Sequence, residues 1–426
     1  MRRILIACAM LLSAVAAAAQ PTLEECRRLA REHYPEIRRY DLIRLAREYT
    51  LSNARRAYLP QFALSAQATW QTAVASYPDV LREMLVRQGI ELPGLNKDQY
   101  KVALELNQTV WDGGKTAADK RIAEADAAQR ARAADVALYE VEGRVDELYF
   151  GILLLDQRIV QTNHTLGLLR SNLEKMRSLR RNGAATQADC DAVEAELLAA
   201  GQQLAEVEAS RGSYRRMLEL FIGRELGRAH LVCPDAAEPA AGEPARPELA
   251  LFDAKAEALA AQERSVKASV RPRFGLFAQG YYGYPGLDFL ESMMKSDWSW
   301  NATVGVRMTW NFGAYYTKRN SLDKLRTARR EVEVERDVFL FNTRLRSERE
   351  SGEIARLRRA LADDDRIVAL RRSVRRAAEA KLDNGVIDTD DLLRRITEEA
   401  AAATARSAHE IELVKTICEL RHTLNR

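Results

Sequence analysis

From Lys115 to Arg181 the chain carries no proline, and its apolar residues recur at alternating steps of three and four. Leu138, Val141, Val145, Leu148, Ile152, Leu155 and Ile159 form the seam; Thr162 interrupts it, and Leu166, Leu169, Leu173 and Met176 resume it. Upstream it fades into Ala127, Ala131 and Ala134. This is the spacing of a helix in a coiled coil. At 1.5 Å per residue the stretch predicts one helix roughly 100 Å long. A compact soluble domain has little use for such a rod.

Immediately before it the period is two. Tyr100, Val102, Leu104, Leu106 and Val110 alternate with Lys101, Glu105, Asn107 and Thr109, the pattern of a strand with one wet face. Three other segments do the same. Phe62, Leu64, Ala66, Ala68, Trp70 and Val74 oppose Gln61, Ser65, Gln67, Thr69 and Gln71; Phe274, Leu276, Ala278, Tyr282 and Tyr284 oppose Arg273 and Gln279. In the last, Trp298, Trp300, Val304, Val306, Met308, Trp310 and Phe312 oppose Ser299, Asn301, Thr303, Arg307 and Asn311. Each is long enough to cross a bilayer obliquely, with large aromatics toward its ends.

The whole arrangement occurs twice. Pro35-Glu36 and Pro247-Glu248 are each followed 25 residues later by a second proline, Pro60 and Pro272. The Thr109–Gly113 segment matches Thr309–Gly313, and Asn182-Gly183 matches Asn384-Gly385. The offset between copies drops inside the strand pair, so the first connecting loop should be about a dozen residues longer. The expected plan is a first repeat over 20–223, a linker over 224–247 and a second repeat over 248–426. In the first, strands are expected at about 61–74 and 99–112, a long helix at 115–181 and a returning helix at 187–223. The second predicts strands at about 273–284 and 298–312 and helices at 314–382 and 388–425. Pro60 and Pro272 would stop helices where strands begin, and Gly113, Gly114 and Gly313 would permit the reverse transition.

Four strands cannot close a barrel, and open edges are not tolerated in lipid. Several chains contributing two hairpins each solve the problem. Eight strands would be filled by side chains, whereas twelve leave an aqueous bore for the polar positions, so a homotrimer is expected. Lys101, Glu105, Asn107, Asn301 and Arg307 would face that bore.

Residues 1–19 read as a secretory leader: Arg2-Arg3, an apolar run, then Ala17-Ala18-Ala19. A lipoprotein signal ending at Cys8 is the rival, but too few apolar residues precede it. The chain has 65 Lys+Arg against 61 Asp+Glu, a balance that argues against nucleic-acid binding. After the leader no apolar run is long enough for a transmembrane helix. Cys26, Cys190, Cys233 and Cys418 show no metal-ligand spacing. In an oxidising compartment either a Cys26–Cys233 disulfide or free buried thiols is expected. Gly114-Lys115-Thr116 imitates the end of a phosphate-binding loop, but Thr109 stands where its first glycine belongs. The five histidines are dispersed, and no nucleophile elbow is present. No enzyme, cofactor or metal is expected.

The duplicated helix–proline–strand junctions (Leu59-Pro60, Arg271-Pro272), Val110-Trp-Asp-Gly-Gly114 leading into an Ala-rich helix, and the Asn-Gly turns followed by acids together resemble the TolC family of outer-membrane efflux proteins. The resemblance implies an α+β membrane protein, a trimeric twelve-stranded β-barrel continued by a long periplasmic α-helical barrel. It also implies an equatorial domain built from the termini and the 224–247 region. Its partners would be a periplasmic adaptor (membrane fusion) protein, an inner-membrane pump or secretion ATPase, and outer-membrane lipid. The chain would be the passive exit duct of a tripartite efflux or type I secretion system. The rival function is a structural or adhesive coiled coil that the hairpins merely anchor. Arg180, Arg181, Asn182 and Gly183, with Leu382, Asp383, Asn384 and Gly385, would form the adaptor-docking tip. In the family, acids at the position of Asp391 and three residues later ring the closed periplasmic entrance. Here Asp390 and Asp391 sit at that place and Asp189 at the equivalent one, but the second acid is replaced by Arg394, which would pair with Asp391. Acids in a helix's first turn are also expected on dipole grounds alone.

Overall fold

The computed structural model describes residues 21–89, 94–227, 230–240, 242–384 and 386–426. The proposed leader and Gly385 lie outside the described residues. In chain order the elements are α1 (Leu23–His33), a 3-10 turn (Pro35–Arg38), α2 (Arg39–Arg56), β1 (Gln61–Trp70), α3 (Asp79–Arg87), β2 (Asp98–Trp111), α4 (Lys115–Arg181) and α5 (Gln187–Ile222). The second half repeats the order with α6 (Pro247–Ser269), β3 (Arg273–Tyr284), α7 (Phe289–Met294), β4 (Ser299–Thr309), α8 (Ala314–Asp383) and α9 (Thr389–Leu424). Both long helices begin right after a glycine-containing turn; α4 ends just before Asn182-Gly183 and α8 just before Asn384. No described helix is long and apolar enough to cross a membrane.

The chain divides into two units. One comprises residues 41–130 and 253–333 and holds all four strands in a single antiparallel sheet of order β1-β2-β3-β4. Residues pair even with even and odd with odd: Phe62↔Leu106, Leu106↔Ala278, Ala278↔Val304 on one face, and Ala63↔Glu105, Glu105↔Gln279, Gln279↔Thr303 on the other. The alternation of each strand therefore adds across the whole sheet. A bulge between Thr109 and Trp111 ends the register at the helix side of β2. β1 and β4 are shorter than expected, whereas β3 keeps its expected bounds and β2 its expected length. Pairing of β1 ends at Trp70↔Asp98, after which Gln71 N–H bonds the Lys97 carbonyl, leaving Val74 in the connection. Trp310 and Phe312 lie beyond β4, where the Trp310 indole N–H donates to the Val270 carbonyl (3.0 Å) instead of extending the ladder.

The other unit comprises 21–40, 131–252 and 334–426. Its main core gathers Leu23, Cys26 and Ala30 of α1, Val141 to Leu153 of α4, Leu218 and Ile222 of α5, Leu226 and Leu231, and Ile411 and Cys418 of α9. The N-terminal helix, the segment after α5 and the C-terminal helix thus share one core. Arg27 clamps α1 to α4 through two parallel bonds to Asp146 (2.7 and 2.6 Å), an arrangement that fixes orientation as well as charge. The four cysteines among the described residues, Cys26, Cys190, Cys233 and Cys418, are free thiols. The Cys26–Cys233 pairing is not formed: Cys26 is enclosed in the apolar core, whereas Cys233 is exposed on the linker.

Candidate functional site: two sheet faces, four junctions and a double turn

The sheet's even face is apolar and open. Leu64 is 75 % exposed, Trp300 81 %, Val304 79 % and Val306 72 %, although each belongs to the residue types a protein normally covers. Its exceptions, Asp98 and Gln108, stand at strand ends, and Gln108 spends its amide on the Tyr58 carbonyl (2.7 Å). Aromatic clusters bound this band. Tyr100 stacks on Trp298 (5.9 Å) and Tyr282 packs on Trp300 (5.0 Å) at the loop end, while Trp111 meets Phe274 (5.8 Å) at the helix end. The odd face is polar and internally bonded. Lys101 donates to the Gln279 carbonyl oxygen (3.0 Å), and the Gln279 amide donates to Glu105 (2.5 Å). Asn301 binds Ser299 and accepts from Leu287 N–H; Arg307 lies over the Phe277 ring, and Asn107 sits on the same face opposite Phe277. The five polar positions expected to share a face do share it.

The junctions of the two halves meet in the same unit. Gly113 and Gly114 take φ of +72° and +89°, where glycine alone is unstrained. A Cβ on Gly113 would stand 2.9 Å from Arg271 Cβ and 3.1 Å from the Pro272 carbonyl, so the turn after β2 is pressed onto the proline junction before β3. Gly313 does not take a positive φ, so the second strand-to-helix turn does not need glycine for the reason expected. Pro60 precedes β1 as Pro272 precedes β3. Asp112, unremarked in the sequence, does the work a phosphate would do at the imitation nucleotide loop. Its carboxylate accepts from the amides of Gly114 (2.9 Å) and Thr116 (2.6 Å) at the start of α4. Burial opposes its ionisation, but these bonds and those of the Thr116 and Tyr58 hydroxyls outweigh it and hold the carboxyl to about 2.

At the far ends of α4 and α8 the two turns close alike. Ala184 N–H reaches back to the Leu179 carbonyl and Val386 N–H to that of Lys381, both at 2.9 Å. Gly183 has φ +76° with nothing near its missing side chain; Arg180, Arg181, Asn182 and Asn384 lie around the turns, and Asn384 caps the Ala380 carbonyl (2.7 Å). The turns are brought together: Leu382 packs with Leu173, Met176, Cys190 and Val193, and Lys175 pairs with Asp383. Asp189 and Asp391 occupy the same place, three residues past the caps Thr186 and Asp388, but their carboxylates differ in use. Asp189 accepts from the Thr186 hydroxyl (2.6 Å) and N–H (2.7 Å) and from the Thr389 hydroxyl (3.1 Å), which keeps it below the usual carboxylate range. Asp391 pairs with Arg394 (3.1 Å), and Asp390 is exposed. The Thr389 bridge joins residues 200 apart and has no signature in the periodicity. Among the described residues no His, Cys, Asp and Glu converge as a metal site.

An open four-stranded sheet with one continuous exposed apolar face, in a chain with two helices of 67 and 70 residues, is the architecture to be compared with known proteins. The family model described as "Outer membrane efflux protein" matches residues 27–224. Over that stretch, a little under half of the chain, the match agrees with the resemblance to the TolC-type outer-membrane efflux proteins. Among solved structures the chain is similar to VceC of Vibrio cholerae (16 % identity, TM-score 0.67, covering 94 % of this chain and 95 % of that one). It is similar also to CmeC of Campylobacter jejuni (14 %, 0.66, 94 % and 85 %) and to the open state of MtrE of Neisseria gonorrhoeae (15 %, 0.64, 95 % and 89 %). At these identities the likeness speaks for the fold. The comparison with curated protein sequences returns no match.

Proposed function

We propose that this outer-membrane protein is the exit duct of a tripartite efflux or secretion assembly, a passive conduit whose barrel closes only between three copies. The observation that carries the reading is the face partition of the sheet: a lipid-compatible even face on all four strands and a bonded polar odd face. A mere anchor has no use for a polar lining in every strand. The sheet leaves β1 and β4 unpaired on their outer edges, and an even number of strands makes β4 of one copy antiparallel to β1 of the next. A second feature supports association. Val334, Val338, Phe341 and Leu345 of α8 keep the heptad spacing yet stay 60, 53, 62 and 56 % exposed, a seam without a partner in its own chain. The double turn would dock a periplasmic adaptor, and Asp189, Asp390, Asp391 and Arg394 would stand at the closed entrance. An inner-membrane pump or secretion ATPase would supply the energy. Native mass measurement in mild detergent tests the assembly: a trimer is expected, and a monodisperse monomer refutes it.

A further inference from the structure

The polar face of the sheet is not electrically balanced along its length. Toward the loop end, Lys101 and Glu105 offset each other through Gln279. Toward the helix end stand Arg273 and Arg307. Arg307 is paired with Gly275 and Arg273 with Thr309 in the β3–β4 ladder, so the two arginines are diagonal neighbours on one face, roughly 7 Å apart at their Cβ atoms. Gly275 puts no side chain between them, and one there would begin 3.0 Å from the Gln108 carbonyl. Arg307 is steadied by the Phe277 ring, 4.7 Å from its guanidinium carbon. Both arginines line a cavity of about 360 Å3 with Asn107, Thr109 and Phe277.

The acids bordering that cavity are already engaged. Asp112 is held by the amides of Gly114 and Thr116, and Asp119 pairs with Lys115 (2.8 Å). Among the described residues neither Arg273 nor Arg307 has a carboxylate within ion-pair distance. Two exposed guanidinium forks on one face, with donors to spare and no internal acceptor, match the geometry of carboxylate or phosphate oxygens.

We infer that Arg273 and Arg307 form an anion site at the helix-side mouth of the barrel, and that the duct favours solutes bearing carboxylate or phosphate groups. The inference rests on the reading that the odd face lines the pore. In the closed barrel the pair repeats round the axis as a basic ring in a confined passage, which focuses its field on passing anions.

The test uses the full-length protein in planar bilayers with citrate as the probe, added to either side. Wild type is expected to conduct and to be blocked by citrate. Arg273→Gln/Arg307→Gln should conduct while needing about tenfold more citrate for the same block, and Arg273→Lys/Arg307→Lys should retain most of it. Should the double glutamine variant not insert, each single glutamine variant removes half of the ring and should show an intermediate loss. A conducting wild type indifferent to citrate, or equal block in wild type and the glutamine variants, overturns the anion site alone. A wild type without conductance overturns the channel reading itself.

Discussion

Asp391 shows how one substitution alters a site. Three residues on, where the family has a second acid, Arg394 reaches back to it at 3.1 Å. Both side chains are well exposed, so the pair contributes little to stability, but it halves the negative charge presented in the helix's first turn. Three Asp391 carboxylates near an axis would attract multivalent cations; three neutralised pairs would not. With a trivalent cation added on the periplasmic side, Arg394→Gln is expected to block about tenfold more readily than wild type. Asp391→Asn should not block, and identical block in all three would remove the residue from the entrance.

His422 gives a second residue-scale expectation. It stacks on Tyr139 with ring centroids 4.1 Å apart, and burial, then the charges of Arg246, Arg27 and Arg346, lower its pKa to about 4. The unfolded chain takes up that proton near pH 6.5 and the folded one only near 4, so between these values the unfolded state binds more protons and stability falls as pH falls. The window is worth up to about 3 kcal/mol per chain. Helical unfolding followed by circular dichroism should show this slope in wild type and lose it in His422→Phe.

At the scale of elements the junctions decide where helix gives way to strand. Proline at 60 and 272 disfavours the helical region at the preceding residue and withholds a donor, so α2 and α6 stop. The return to helix after β2 rests on Gly113. Its positive φ and the 2.9 Å approach of Arg271 mean that Gly113→Ala meets both strain and collision, costing about 2 kcal/mol or more. Gly183 has a similar φ but open space, so Gly183→Ala meets strain alone, about 1 kcal/mol. Gly113→Ala should therefore lower the yield of assembled protein more than Gly183→Ala, as read on non-denaturing gels. Equal yields would count against the clamp between the two halves.

For the molecule as a whole, duplication sets the plan. The segment joining β1 to β2 spans 71–97 against 285–298 for β3 to β4, and the turns after α4 and α8 close through the same backbone bonds. Turns built alike and packed together offer one composite surface. Cysteines placed at Ala184 and Val386 are expected to crosslink to an adaptor subunit in cells, and a cysteine at Thr69 is not; labelling at Thr69 alone would reverse the proposed orientation.

The periods were legible because they are local. A step of two or of three and four is dictated by how side chains leave a strand or a helix, so the four strands, the long helices and the polar set Lys101, Glu105, Asn107, Asn301 and Arg307 stand out in the bare sequence. Proline and glycine marked the junctions for the same reason. What could not be read depends on residues far apart being brought together. The continuous apolar face needs the register of three strand pairs to agree, and the clamp of Gly113 on Arg271 joins the two halves. Asp189 shares its carboxylate with Thr389 of the other turn, and Cys26 is buried while Cys233 is not. Gly313 looked like Gly113 in sequence, yet its backbone needs no glycine, because conformation at a turn answers to what packs against it. Sequence thus determined the elements and their order. Tertiary structure alone decided which polar groups satisfy one another and which, like Arg273 and Arg307, are left with donors for something else, since a hydrogen bond's partner is set by position in space.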